Sequence, residues 1–117
     1  MDALQTHVQP ASAEFKENTA HHQALLDDLK KRLGEVRRGG PERAIALLRE
    51  RKKLLARERI ERLLDPGTPF LELSALAAWG QHQNQVPAAG VITGIGVVHG
   101  RECMVVCNDA TVKGGTY

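Results

Sequence analysis

Apolar residues return at helical spacing through the first half of the chain and at strand spacing through the second. Phe15, His22, Leu29 and Val36 recur every seven residues, with Leu25, Leu26 and Leu33 beside them. That rhythm keeps one face apolar and predicts an amphipathic helix over residues 13 to 37. Ser12 suits its N-cap, Glu14 and Glu17 suit the positive end of its dipole, and Gly39 and Gly40 stop it. A second helical stretch opens with Gly40 as cap, Pro41 in the first turn and Glu42 behind it. Ala44, Ile45, Leu47 and Leu48, then Leu54, Leu55, Ile60, Leu63 and Leu64, continue an apolar face until Asp65-Pro66-Gly67 turns the chain. No Gly or Pro interrupts residues 42 to 65, so local rules allow one unbroken helix there.

Beyond that turn the period changes. Phe70-Leu71-Glu72-Leu73 alternates and predicts a short strand. Residues 74 to 87 follow neither period, and residues 80 to 87, rich in Gln and Asn, read as a polar loop. Residues 89 to 98 and 103 to 108 predict two strands of a hairpin, joined through His99-Gly100-Arg101-Glu102. The second strand, Cys103-Met104-Val105-Val106-Cys107, has no polar face, which predicts burial on both sides.

Charge follows the same division. Residues 1 to 64 hold 14 Lys and Arg against 10 Asp and Glu, whereas residues 65 to 117 hold 2 against 4. Eight of the 11 glycines lie after residue 65. The organisation expected is a flexible arm over residues 1 to 11, a helical region over 12 to 65, and a β-rich region over 66 to 117. A length of 117 residues suits one small domain or part of a larger one. The net charge of +2 is too small to call for nucleic acid or a membrane surface as partner. The apolar run at residues 103 to 107 is far too short to span a bilayer. Two cysteines cannot build a disulfide framework. The first residues lack the apolar core of a secretory signal, and Asp2 and Glu14 argue against an organelle presequence. A soluble intracellular protein is expected.

Candidate chemistry is sparse. Cys103 and Cys107 would lie on one face of a strand, roughly 13 Å apart, beyond disulfide reach, and core packing is the better reading. His21 and His22 point to different faces of a helix and cannot hold one metal ion between them. His82 and His99 have no carboxylate or serine at a telling spacing, so no catalytic residue and no metal ligand is assigned. Gly94, Gly96 and Gly100 have the wrong spacing for a dinucleotide fingerprint and fall within the hairpin. Lys113-Gly114-Gly115-Thr116 has the wrong order for a phosphate loop. A Gly-Gly pair after a buried strand still lets backbone approach a ligand, and Lys113 could meet a phosphate, while a plain turn accounts for the same residues. The basic stretch 49 to 62 lacks interleaved aromatics and reads as a solvated helix face.

The stretch Arg57-Glu58-Arg59-Ile60-Glu61-Arg62-Leu63-Leu64-Asp65-Pro66-Gly67-Thr68-Pro69-Phe70-Leu71-Glu72-Leu73 resembles the start of the carboxyltransferase (β) subunit of biotin-dependent acyl-CoA carboxylases. Gly90-Val91-Ile92-Thr93-Gly94-Ile95-Gly96 and Asn108-Asp109-Ala110-Thr111-Val112-Lys113-Gly114-Gly115-Thr116-Tyr117 strengthen the resemblance. The Ala-Thr-Val-Lys-Gly-Gly form is similar to the methylcrotonoyl-CoA carboxylase branch, with geranoyl-CoA carboxylase close by. Phe15-Lys16-Glu17-Asn18 and Gly39-Gly40 extend it over residues 12 to 117. Relatives carry Gly and Pro at positions 52 and 56 and break the second helix there. Here the residues are Lys52 and Ala56, so a break would have to come from tertiary packing.

The resemblance implies an α/β fold class, the α+β start of a crotonase-like (ClpP-like) carboxyltransferase domain, with N-terminal helices followed by a β-hairpin. Family members have two such domains, and this sequence is expected to end inside the first. The implied activity is transfer of a carboxylate from carboxybiotin to an acyl-CoA, of 3-methylcrotonoyl type in leucine degradation. Backbone N–H groups would stabilise the substrate enolate. Those oxyanion holes come from later glycine-rich loops in the family, so this chain alone is expected to be inactive. Thr111, Val112, Lys113, Gly114 and Gly115 are carried over as contacts to the CoA moiety. No cofactor is expected on this chain, with biotin borne by a partner subunit and ATP used by the holoenzyme. The implied partners are acyl-CoA, a biotin carboxylase and biotin carrier subunit, and further copies in a homo-oligomer. The location implied is the bacterial cytoplasm, or the mitochondrial matrix in a eukaryote. Two rival readings stand beside this one: a non-catalytic helical module that docks a larger carboxylase through residues 13 to 37, and a basic nucleic-acid-binding protein.

Overall fold

The computed structural model describes residues 3–116. Met1 and Asp2, in the expected arm, and Tyr117, at the end of the last motif, lie outside the described residues. In chain order the elements are α1 (Ala13–Arg37), α2 (Glu42–Glu50), α3 (Ala56–Leu63), β1 (Leu71–Leu73), β2 (Val91–Val98) and β3 (Arg101–Asn108). Short 3₁₀ turns occupy His82–Asn84, Pro87–Gly90 and Lys113–Gly115. The chain divides into two compact units, Met1–Arg32 and Leu33–Tyr117.

In the first unit, residues 3 to 9 have no regular structure, and a turn leads into α1. The Ser12 hydroxyl accepts the Phe15 N–H at 3.1 Å, the N-cap that the sequence predicts. Asp28 and Arg32 form an i,i+4 ion pair at 2.8 Å, and Gln23 donates to Asp27 at 2.9 Å. Phe15, Leu25, Leu26 and Leu29 are exposed.

In the second unit, the single helix allowed by local rules over residues 42 to 65 is two helices. Pro41 is the N-cap of α2, one residue later along the chain than the expected cap at Gly40. The break has a defined hydrogen-bond pattern. The Lys52 N–H reaches the Arg49 carbonyl at 2.9 Å and the Lys53 N–H reaches the Leu48 carbonyl at 3.0 Å. This is a Schellman end, with Lys52 at φ +54° in the left-handed position that glycine normally fills. α3 is then capped by Leu55, whose N–H donates to the Glu58 carboxylate at 2.8 Å. Arg49 donates to both oxygens of Glu58, at 2.8 and 2.6 Å, and so ties the end of α2 to the start of α3. A left-handed lysine is strained by about 1 kcal/mol relative to glycine. Lys52→Gly is therefore expected to raise stability by about that amount in urea unfolding, because Gly fits the same bonds without strain.

Ala56 and Ile60 of α3 pack on Ile92, Val105 and Cys107, with Leu64 and Phe70 closing the edge of this core. The sheet runs β1-β2-β3, antiparallel throughout. Ile92, Gly94 and Gly96 face α3 opposite Cys107, Val105 and Cys103. The two glycines serve packing. A Cβ at Gly94 would lie 2.6 Å from the Leu71 carbonyl oxygen, and one at Gly96 would collide with Leu64. Glu72, on the same side as Gly94, forms a two-point ion pair with Arg57 at 2.7 and 2.8 Å.

The hairpin is tighter than expected. β3 begins at Arg101, so only His99 and Gly100 turn the chain, both at positive φ, +49° and +73°. Positive φ at both positions matches the twist of the flanking strands. β3 is also buried on one side only, which corrects the expectation of two buried faces. Met104 and Val106 are 62% and 64% exposed, and Leu71, Leu73 and Ile95 share their face.

Asp65 joins the helix end to the hairpin. Its N–H donates to the Val97 carbonyl at 2.8 Å, and its carboxylate accepts the His99 and Gly100 N–H groups, each at 2.7 Å. These bonds, that of Gly100 foremost, hold the carboxyl below its usual range. A depressed native pKa contributes stability above the unfolded value, and that contribution fades as pH falls through the native one. Acid titration followed by circular dichroism should therefore show stability declining from about pH 4 downward, with Asp65→Asn flattening that decline.

Candidate functional site

β3 delivers the chain into a turn built on Asp109. The Asp109 N–H donates to the Gly90 carbonyl at 2.9 Å, which fixes the strand end against the loop before β2. Its side chain is 8% exposed, and Oδ1 accepts the Thr111 N–H at 2.9 Å and the Thr111 hydroxyl at 2.5 Å. An Asp bonded to the N–H two residues on is an Asx turn. The Val112 N–H then returns to the Asp109 carbonyl at 3.0 Å, and the Gly115 N–H to the Val112 carbonyl at 2.9 Å. The Thr116 hydroxyl donates to the Lys113 carbonyl at 2.8 Å.

The five positions assigned from resemblance fall into two groups. Thr111 and Val112 are buried, at 3% and 2% exposure. Val112 packs against Gly90, where a Cβ would lie 3.2 Å from Val112 Cγ1. Lys113 and Gly114 are exposed and Gly115 is half-buried. All three have positive φ, +45°, +73° and +81°, which turns the segment back on itself.

Three further residues shape this site. Gly39 and Gly40, expected at the end of one helix and the cap of the next, lie directly against Thr111. The Thr111 hydroxyl accepts the Gly40 N–H at 2.8 Å while donating to Asp109. A Cβ at Gly40 would lie 2.5 Å from the Thr111 carbonyl carbon and closer still to its oxygen. Asp109 itself went unassigned, although the Asp-x-Thr spacing is a readable signal for an Asx turn.

Elsewhere, the His21 and His22 rings meet edge to face with centroids 5.7 Å apart. His21 and His22 are exposed, Cys107 is buried and Cys103 half-buried. Among the described residues no three His, Cys, Asp or Glu side chains gather to hold a metal. No helix among them is long and apolar enough to cross a membrane. A groove of about 520 Å³ runs between Leu33 and Arg37 at the end of α1, Ile60 and Leu64 of α3, and Phe70.

A model of the carboxyl transferase domain matches residues 48–117. The chain belongs to the carboxyl transferase domain family. The chain is 50% identical over 107 residues to the mitochondrial methylcrotonoyl-CoA carboxylase beta chain of Dictyostelium discoideum, covering 91% of this chain and 18% of that one. It is 56% identical over 96 residues to the biotin-dependent 3-methylcrotonyl-coenzyme A carboxylase beta1 subunit of Mycobacterium tuberculosis, covering 82% and 18%. The resemblance read from the motifs thus holds. Among solved structures, the 12S transcarboxylase superposes with a TM-score of 0.71 at 33% identity, covering 80% of this chain and 19% of that one. The beta subunit of Pseudomonas aeruginosa geranyl-CoA carboxylase superposes with a TM-score of 0.65 at 32% identity, covering 98% and 21%. These are crotonase-like carboxyltransferases, and the helices followed by an antiparallel sheet form the matching α/β portion. The chain spans about a fifth of the length of these relatives.

Proposed function

We propose that the chain is the N-terminal part of the carboxyltransferase subunit of an acyl-CoA carboxylase of 3-methylcrotonoyl type, in leucine degradation. The observation that carries this reading is the identity of 50% and 56% with two methylcrotonoyl-CoA carboxylase beta subunits over most of the chain. On this reading residues 1 to 11 are an arm, residues 12 to 65 a helical region, and residues 66 to 117 the start of the carboxyltransferase domain. The substrate is an acyl-CoA, and carboxybiotin arrives as a second substrate carried by a biotin carboxylase and carrier partner that uses ATP. No described residue is assigned to biotin. A homo-oligomer of such subunits, in the bacterial cytoplasm or the mitochondrial matrix, completes the proposal.

The segment from Thr111 to Gly115 contributes coenzyme A binding. Lys113 offers an ammonium to phosphate, and Gly114 and Gly115 leave backbone open to close approach. Thr111 and Val112 take part as the support beneath that turn, since both are buried and their N–H groups are bonded to Asp109. Millimolar coenzyme A added to the chain should shift the amide signals of residues 113 to 115. Lys113→Ala should weaken that binding about 2- to 5-fold, the range of an exposed ion pair. Carboxyl transfer by the chain alone is expected to be nil, because preorganised enolate stabilisation supplies most of the rate in such chemistry. Amide shifts confined to other segments would sink the coenzyme A assignment, and measurable transfer would sink the partial-subunit reading. A second reading, a helical module docking a larger carboxylase, draws on the exposed Phe15, Leu25, Leu26 and Leu29 of α1. It requires co-elution with such an enzyme that is lost when Leu25 and Leu29 become Glu.

A further inference from the structure

Asp109 is a buried carboxylate outside the proposed coenzyme A contacts. It sits at one end of a clasp whose other end is the corner between α1 and α2. Thr111 stands between them, and its one hydroxyl does two things: it donates to Asp109 Oδ1 and accepts the Gly40 N–H. A hydroxyl has a single donor and two acceptor sites, so this arrangement fixes the direction of its proton. Gly39 approaches the same pair, with room for a Cβ only 3.2 Å from Thr111 Oγ1 and 3.3 Å from Asp109 Oδ2. The Asp109 carbonyl then anchors Val112, and the Val112 carbonyl anchors Gly115. An unbroken series of bonds thus leads from Gly40 to the exposed Lys113–Gly115 turn.

We infer that Asp109 and Gly40 are positioning residues, which through Thr111 set the geometry in which the Lys113–Gly115 turn meets coenzyme A. The inference rests on the reading of that turn as a coenzyme A contact. It adds that the helical corner and the ligand turn act as one unit, so the helical region contributes to binding without touching the ligand. A group held by buried hydrogen bonds keeps its shape, and a ligand met by a preformed turn loses less freedom on binding.

Thr111→Val tests this, because it keeps the shape of the side chain and removes both bonds. Thr111→Ser keeps the hydroxyl and removes only the methyl group. Amide hydrogen exchange and coenzyme A titration are read on both variants of the 117-residue chain, with the Ile92 and Val105 amides as a check that the sheet is intact. The expected result is exchange at Gly40 and Gly115 about 10-fold faster in the Val variant, with coenzyme A affinity lower by a similar factor, and both restored in the Ser variant. Asp109→Asn should fall between the two, since its amide oxygen still accepts a bond. Unchanged exchange at Gly115 in the Val variant overturns the inference, as does a loss of affinity that the Ser variant does not restore. If the native chain leaves coenzyme A unbound while Gly115 exchange still follows Thr111, the coupling stands and the coenzyme A reading alone falls.

Discussion

Replacing Gly40 by alanine should cost the folded chain about 3 kcal/mol, the upper end of ordinary overpacking costs. The added methyl meets main chain, the carbonyl carbon of Thr111 at 2.5 Å and its oxygen closer still. Backbone cannot move aside by changing rotamer, so the corner between α1 and α2 must withdraw. Withdrawal breaks the Gly40-to-Thr111 hydrogen bond and leaves a half-buried N–H without a partner. Urea unfolding followed by circular dichroism measures the loss. Gly34→Ala provides the control of opposite sign. Gly34 lies inside α1 with nothing within 4 Å of an added Cβ, so the higher helix propensity of alanine should add about 1 kcal/mol. Equal effects at the two glycines would mean that the close approach at Gly40 is not tight.

Ile60→Ala should remove about 2–5 kcal/mol, the range for large aliphatic side chains truncated to alanine in a core. Ile60 is 4% exposed and is packed among Ala56, Ile92, Val105 and Cys107. Its neighbours cannot close over the gap. Ile92 and Val105 are held by strand pairing, and Gly94 and Gly96 have no side chains to swing inward. The void therefore persists and the cavity term adds to the lost transfer energy. The same urea measurement applies, with Leu63→Ala as the comparison. Leu63 is 51% exposed, and its truncation should cost well under half as much.

The sequence showed most clearly what depends on spacing within one element. The limits of α1, the cap at Ser12, the alternation that gives β1 and the Val- and Ile-rich runs that give β2 and β3 all follow from local period and local chemistry. What it concealed depends on partners distant along the chain. The break between α2 and α3 occurs without Gly or Pro because Glu58 serves both the Leu55 N–H and Arg49, and because packing of α3 on the sheet outweighs the strain at Lys52. The outer face of β3 could not be told from a buried face, since Met104 and Val106 are as apolar as Val105 and Cys107. At the candidate site, the motif from Asp109 to Gly115 was visible as a string of residues. Its division into buried support and exposed turn was not, because that depends on Gly39 and Gly40, some 70 positions earlier. Two glycines in a row where one suffices to end a helix were the available hint.

That separation also sets an order in time. The hairpin of β2 and β3 needs only His99 and Gly100 to close, and such pairing forms within microseconds in isolated peptides. The bond between Gly40 and Thr111 spans 71 positions, so its closure costs more chain entropy than the hairpin's and is favoured once α2, α3 and the sheet have come together. The clasp is therefore expected to be the last part of the second unit to assemble and the first to open. In stopped-flow mixing, its loss should accelerate unfolding and leave the refolding rate almost unchanged.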